Sequence, residues 1–278
     1  MLHEIKKLVV IITNTIFAKK CFNTDLLLCQ KYIICMVSKN QKKLIKSLHQ
    51  KKYRKQHELF VAEGKKVIKE LIDADLKLHS IFTTEATHFK TPENLTFIST
   101  EDELKSISFL STPQVALAIF YIPKVNDFET KGLTLMLDDI RDPGNLGTII
   151  RLCDWFGITN LICSEQTVDC YNPKVVQATM GSITRVHIRY MDLQTVISDM
   201  KKDVPVFGTF MDGNSIYAEH LPTDGVIIMG NEANGICAEI ENLVTHRITI
   251  PQFGNMQKTE SLNVATAAAI VLNEFRRG

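Results

Sequence analysis

From Leu133 to the end of the chain, short apolar runs alternate with helical patterns. This alternation constrains the fold more than any other feature. Strand patterns read at Leu133–Leu137, Asn160–Cys163, Pro205–Thr209, Gly225–Met229 and Arg247–Ile250. Helical patterns read at Asn145–Phe156, Pro173–Met180, Leu193–Lys201, Ala238–Leu243 and Leu262–Arg276. Apolar strands separated by crossover helices predict an α/β fold with a mostly parallel sheet covered on both faces. Such sheets bind ligands beyond the carboxyl ends of their strands, so the loops there are the first place to look for chemistry.

The first half reads as a smaller α/β unit. Ser38–Lys55 carries eight Lys or Arg and no acid. Leu44, Ile45 and Leu48 fall at helical spacing, so one narrow face docks while the rest stays basic. A one-signed helix is either a solvated face or a site for a polyanion such as nucleic acid. Phe60–Gly64 leads into an amphipathic helix at Lys65–Ile72. Strand patterns follow at His79–Thr83, Leu95–Ser99 and Gln114–Tyr121, with a helix near Glu101–Ser106. A polar break at Ile122–Lys131 separates two domains, expected at 36–122 and 128–278.

The remaining features mostly exclude. Seven cysteines, without a CxxC pair, argue against a disulfide framework and a zinc ribbon, and suit a reducing cytoplasm. The eight histidines lack paired-ligand spacings, so no metal site is expected. The apolar run Leu8–Ile12 is far shorter than the roughly 20 residues a membrane span needs. Residues 1–35 read as a poorly structured extension ahead of an organised chain opening at Met36. Neither GxGxxG nor GK[ST] occurs, which excludes a dinucleotide fingerprint and a P-loop.

Three loops carry candidate chemistry. In Leu137–Arg151 a strand ends in acids, turns through Asp142-Pro143-Gly144 and enters a helix. Leu146, Ile149, Ile150 and Cys153 form its core stripe. Arg151 lies off that stripe, one turn beyond side-chain-free Gly147, which would leave an open lane for the guanidinium. Read alone, Arg151 is a surface arginine paired with Asp154. In Ile227–Ile236 an apolar strand runs into Gly230-Asn231-Glu232. There glycine permits a sharp turn and close ligand approach, though alone it is an ordinary turn with a surface acid. In the third segment Ser261 is a candidate N-cap for an alanine-rich helix, apolar nearly all round and therefore expected to be buried. Asn263, polar and just inside that helix, is left without a structural reason.

Together, DPGNLGxxxR, GNEANGI and IPQFG…SLNVA, in this order at the end of an α/β chain, resemble the three motifs of the SpoU (TrmH-like) family of the SPOUT superfamily. FVAEGKKVIKELI is similar to the start of the L30e-like substrate-binding domain that many members carry. The resemblance implies a trefoil-knotted C-terminal domain and S-adenosylmethionine-dependent methylation of an RNA ribose 2′-hydroxyl, with ribosomal RNA favoured over transfer RNA. It puts Asn145, Arg151, Glu232, Ser261 and Asn263 at catalytic positions. Thr209, Gly230, Ile250 and Leu262 fall at cofactor positions. It further implies a homodimer in which each site uses its partner's arginine. The alternatives are an inactive RNA-binding module of the same fold and a methyltransferase acting on a base. The connection from Pro251 to Ser261 is longer than is usual in the family.

Overall fold

The computed structural model describes residues 37–124, 132–254 and 261–277. The expected extension at 1–35, residues 125–131 of the linker and residues 255–260 of the long connection lie outside the described residues.

The first half opens with two helices, α1 (Lys39–Ser47) and α2 (Lys51–His57), rather than one. A reciprocal capping box starts α1, with Ser38 Oγ accepting from Gln41 N and Ser38 N donating to Gln41 Oε1. The chain breaks after α1 and leaves carbonyls without helical partners. Arg54 satisfies two of them, donating from Nη1 to Leu48 O and His49 O at 2.8 Å each. Its Nε donates to Asp169 Oδ2 at 2.9 Å. Arg54 is only 2% exposed. One of the eight basic residues of this segment therefore serves folding, not the surface.

There follow β1 (Leu59–Glu63), α3 (Lys65–Asp73), β2 (Leu78–Thr83), β3 (Thr96–Ile98), α4 (Glu101–Ile107) and β4 (Ala116–Tyr121). They form a four-stranded sheet in the order β1-β4-β2-β3. The strand β1 was not expected as such. All five of its residues are buried, so it shows no polar alternation. Its period of two appears only in which layer each residue meets. Leu59 and Val61 pack with Ile45, Leu48, Leu104 and Ile107, whereas Phe60 and Ala62 join the core shared with the second half.

The second half comprises β5 (Leu133–Leu137), α5 (Pro143–Trp155), β6 (Asn160–Cys163), α6 (Pro173–Thr179), β7 (His187–Tyr190), α7 (Leu193–Ser198), β8 (Val206–Ser215), β9 (Gly225–Met229), α8 (Ala238–Glu241), β10 (His246–Thr249) and α9 (Val264–Arg276). The six strands lie in the order β10-β8-β9-β5-β6-β7, and every pairing between them is parallel. Leu135, Leu137, Leu161 and Met229 face one core cluster with α5, α6 and α9. Met136, Ile162, Val226 and Ile228 face the other with α7 and α8. The edge strand β7 escaped the sequence reading because its residues are half-buried or exposed.

Two expectations of packing need correction. Gly147 does not open a lane for Arg151. A Cβ there would fall 2.3 Å from Ala178 Cβ, so its bare backbone lets α6 pack directly on α5. Nor is α9 buried all round: Thr266 and Asn273 are exposed, and Ala269 and Ile270 half-buried.

Candidate active site

Asp142 caps α5 by accepting from Asn145 N at 2.8 Å, and Pro143 occupies the first turn. This fixes Asn145 at the helix start, at the carboxyl end of β5. Beyond β9, the loop closes on itself through paired Asn231–Gly235 backbone bonds. Gly230 is required there because a Cβ would meet Gly235 C at 2.2 Å. Asn231 Nδ2 donates to Asp139 O at 2.7 Å and so ties this loop to the one before α5. Asp139 takes the left-handed conformation, φ 55°, and pairs with Arg141.

The side chains of the three segments form one hydrogen-bonded chain. Asn145 Nδ2 donates to Glu232 Oε1 at 2.7 Å, and Asn263 Nδ2 donates to Asn145 Oδ1 at 2.9 Å. Asn263 Oδ1 accepts from the α9 amides of Ala265 and Thr266. The polarity of this chain is fixed at both ends. A carboxylate only accepts, and the amides of a helix N-terminus only donate. Each asparagine between them can therefore point only one way. Asn263, not Ser261, is the N-cap of α9, so the expected cap is corrected and Asn263 acquires a structural reason. Ser261 is exposed two residues ahead of it.

Beside this chain, beyond the ends of β8, β9 and β10, lies a cavity of about 1080 Å³. Its apolar wall includes Ile216, Met229, Ile248 and Val271, and its rim carries Phe253, which is 82% exposed and stacks on Tyr217. All four expected cofactor residues, Thr209, Gly230, Ile250 and Leu262, line it, as do Glu232 and Ser261. Thr209 Oγ1 is held by Ile228 O at 3.0 Å. Among the described residues lining the cavity, Glu232 is the only charged side chain. A largely apolar lining whose described residues include one acid and no Lys or Arg suits a cationic sulfonium cofactor better than a phosphate.

Arg151 stands apart from the cavity lining. It is exposed and has no hydrogen bond or ion pair among the described residues. The expected partner, Asp154, is taken by Arg185. No group of three or more metal-ligating side chains occurs among the described residues, and no helix there is long and apolar enough to cross a membrane.

The SpoU rRNA Methylase family model matches residues 132–273. This chain belongs to that family. A second model, the MRM3-like substrate binding domain, matches residues 39–118. Among full-length relatives, the chain is 30% identical to the 23S rRNA (guanosine(2553)-2′-O)-methyltransferase RlmP of Bacillus subtilis, over 86% of this chain and 97% of that protein. A TrmH-family structure from Porphyromonas gingivalis superposes with a TM-score of 0.78 at 36% identity, covering 87% of this chain and 99% of that one. An AdoMet-bound rRNA methyltransferase of Sinorhizobium meliloti superposes with a TM-score of 0.76 at 29% identity, covering 88% and 97%. S-adenosylmethionine is the cofactor of this SpoU methylase.

Proposed function

We propose that this SpoU methylase transfers the methyl group of S-adenosylmethionine to a ribose 2′-hydroxyl of ribosomal RNA. The observation that carries the reading is the chain Glu232–Asn145–Asn263 beside a cavity whose described lining residues include no Lys or Arg. Thr209, Gly230, Ile250 and Leu262 would hold the cofactor, which when bound supplies an electrophilic methyl group. The protein's own task is alignment of the 2′-oxygen with that methyl. Asn145 and Ser261 orient the hydroxyl, and Asn263 and Glu232 hold Asn145 in one rotamer. Arg151 grips the RNA phosphate through two donors and polarises the hydroxyl. Because an arginine is effectively always protonated in proteins, it would act here as a donor and not as a base, and the hydroxyl proton would pass to water as the methyl leaves sulfur for the 2′-oxygen.

The division of labour follows the two sheets. Residues 36–122 form an L30e-like substrate-binding domain, and residues 128–278 the methyltransferase domain with the family's trefoil knot. Exposed Lys39, Lys43, Lys46, Lys51, Lys52 and Lys55 on α1 and α2 meet phosphates. The match to a substrate-binding model and the ribosomal substrate named for RlmP favour ribosomal over transfer RNA. A homodimer completes the site with Arg151 of the partner subunit. Trp155 at 84% exposure and the incompletely covered α9 support a second copy on this face. The setting is the cytoplasm, which suits buried free thiols at Cys153, Cys163 and Cys170.

The test is methyl transfer from labelled S-adenosylmethionine to ribosomal RNA from cells lacking this gene, followed by digestion and nucleoside mass analysis. A labelled 2′-O-methylnucleoside, absent with Arg151→Ala, is the expected result. A labelled base, or failure to bind the cofactor at all, would refute the reading.

A further inference from the structure

Within helical reach of Arg151 on α5 there is one acid. Asp154 lies three residues on, at the spacing where oppositely charged side chains ordinarily pair. In this structure they do not pair. Arg185, which follows α6, donates from Nε to Asp154 Oδ1 at 3.1 Å and to Oδ2 at 2.9 Å. Its Nη1 donates to Glu70 Oε2 at 3.0 Å. Glu70 belongs to α3 of the first half, and it packs so closely that a Cβ on Gly181 would fall 2.5 Å from its own. One planar guanidinium thus spans two carboxylates from different halves of the molecule. Asp154, with a quarter of its side chain exposed, has both oxygens occupied.

We infer that Arg185 is a positioning residue for Arg151: by holding Asp154, it keeps the guanidinium of Arg151 free for RNA. The inference rests on the role proposed above for Arg151. Without Arg185, Asp154 turns to Arg151 on its own helix. A half-exposed pair at this spacing is weak, enough to hold Arg151 for part of the time. The fraction of enzyme with a free Arg151 then falls, and kcat/KM falls with it. The arrangement also couples the substrate-binding half to the catalytic helix, since Glu70 helps to fix where Arg185 points.

The experiment compares Arg185→Ala, Asp154→Asn, Arg185→Ala/Asp154→Asn, Glu70→Gln and Arg151→Ala. Substrate is ribosomal RNA from cells lacking the gene, and kcat/KM, S-adenosylmethionine affinity and Tm are measured for each. Arg185→Ala should lower kcat/KM by about three-fold with cofactor affinity unchanged. The double variant should return to the wild-type rate even if its Tm stays low, because the competing acid is gone. Asp154→Asn should keep the wild-type kcat, and so should Glu70→Gln, whose amide oxygen still accepts from Arg185. Rates that follow Tm across the set, or a loss in Arg185→Ala that Asp154→Asn does not restore, would overturn the inference and leave Arg185 as a structural clasp. Wild-type activity in Arg185→Ala beside an inactive Arg151→Ala would overturn it too, with the role of Arg151 intact. Wild-type activity in Arg151→Ala would instead remove that role, and the inference with it.

Discussion

The loops of the candidate site and the basic helices both face solvent, yet they are built on opposite principles. At the loops, few groups matter and each is fixed. Asn145, Glu232 and Asn263 come from three distant parts of the chain and hold one another in a single orientation. On α1 and α2, many like charges point outward, and the side-chain hydrogen bonds there belong to the cap, to Ser47 and to buried Arg54. On the proposed function, the first region would work by geometry, where one lost group disables the whole, and the second by summed charge, where each lysine adds a little and salt removes it.

That contrast can be broken first at its strongest point. Asn145→Ala and Arg151→Ala should each lower kcat by about 10²–10³-fold, the effect of removing one oriented donor from a transition state, with S-adenosylmethionine affinity unchanged by calorimetry. Losses below ten-fold would mean that the loops are no more geometric than the helices. Next in size, Arg54→Ala should destabilise the protein by about 3 kcal/mol in urea unfolding, because Asp169 loses its buried partner. Lys46→Ala, on the exposed face, should stay within about 0.5 kcal/mol.

Smaller still is the effect of charge. Replacing Lys39, Lys43 and Lys46 together by alanine should raise the RNA KM about ten-fold at low salt and leave kcat unchanged. The slope of log affinity against log salt should flatten by about two to three. A fall in kcat would show that these lysines also help to position the substrate. The smallest effect concerns Glu63, buried in β1, where it accepts from Ser108 Oγ and Phe109 N. Burial raises its pKa, against the two hydrogen bonds, which lower it. The folded state therefore holds the proton more tightly than the unfolded one. The stability Glu63 contributes is full below the unfolded value near 4.5 and is lost as pH rises through the higher folded value. Glu63→Gln should gain on the wild type across that window in chemical unfolding at stepped pH.

Legibility in the sequence divides along the same line. The parallel sheet could be read because buried strands are apolar throughout, and β5, β6 and β9 begin and end where the pattern placed them. The stripe Leu146, Ile149, Ile150 and Cys153 is fully buried. What escaped depends on neighbours distant in sequence. The strand β1 is covered on both faces, so it gives no alternation, and β7 at the edge gives too little apolar signal. Gly147 admits α6 rather than a ligand, which becomes visible only when the helices are seen to touch. The site residues are named by family resemblance: six of the nine line the cavity, Asn145 and Asn263 join Glu232 beside it, and Arg151 stands apart. Their reciprocal hydrogen bonds could not be read, because each joins residues 87 or 118 positions apart. A signal for Asn263 was present nonetheless: an asparagine opening an alanine-rich helix is itself an N-cap pattern.

The most direct test of the interlocked site is a double-mutant cycle on kcat with Asn145→Ala and Asn263→Ser. Serine keeps a capping oxygen for α9 but lacks the donor that reaches Asn145. If the chain acts as one unit, the double variant should lose no more activity than the worse single variant. Losses that multiply would show the two asparagines acting independently and would contradict the account.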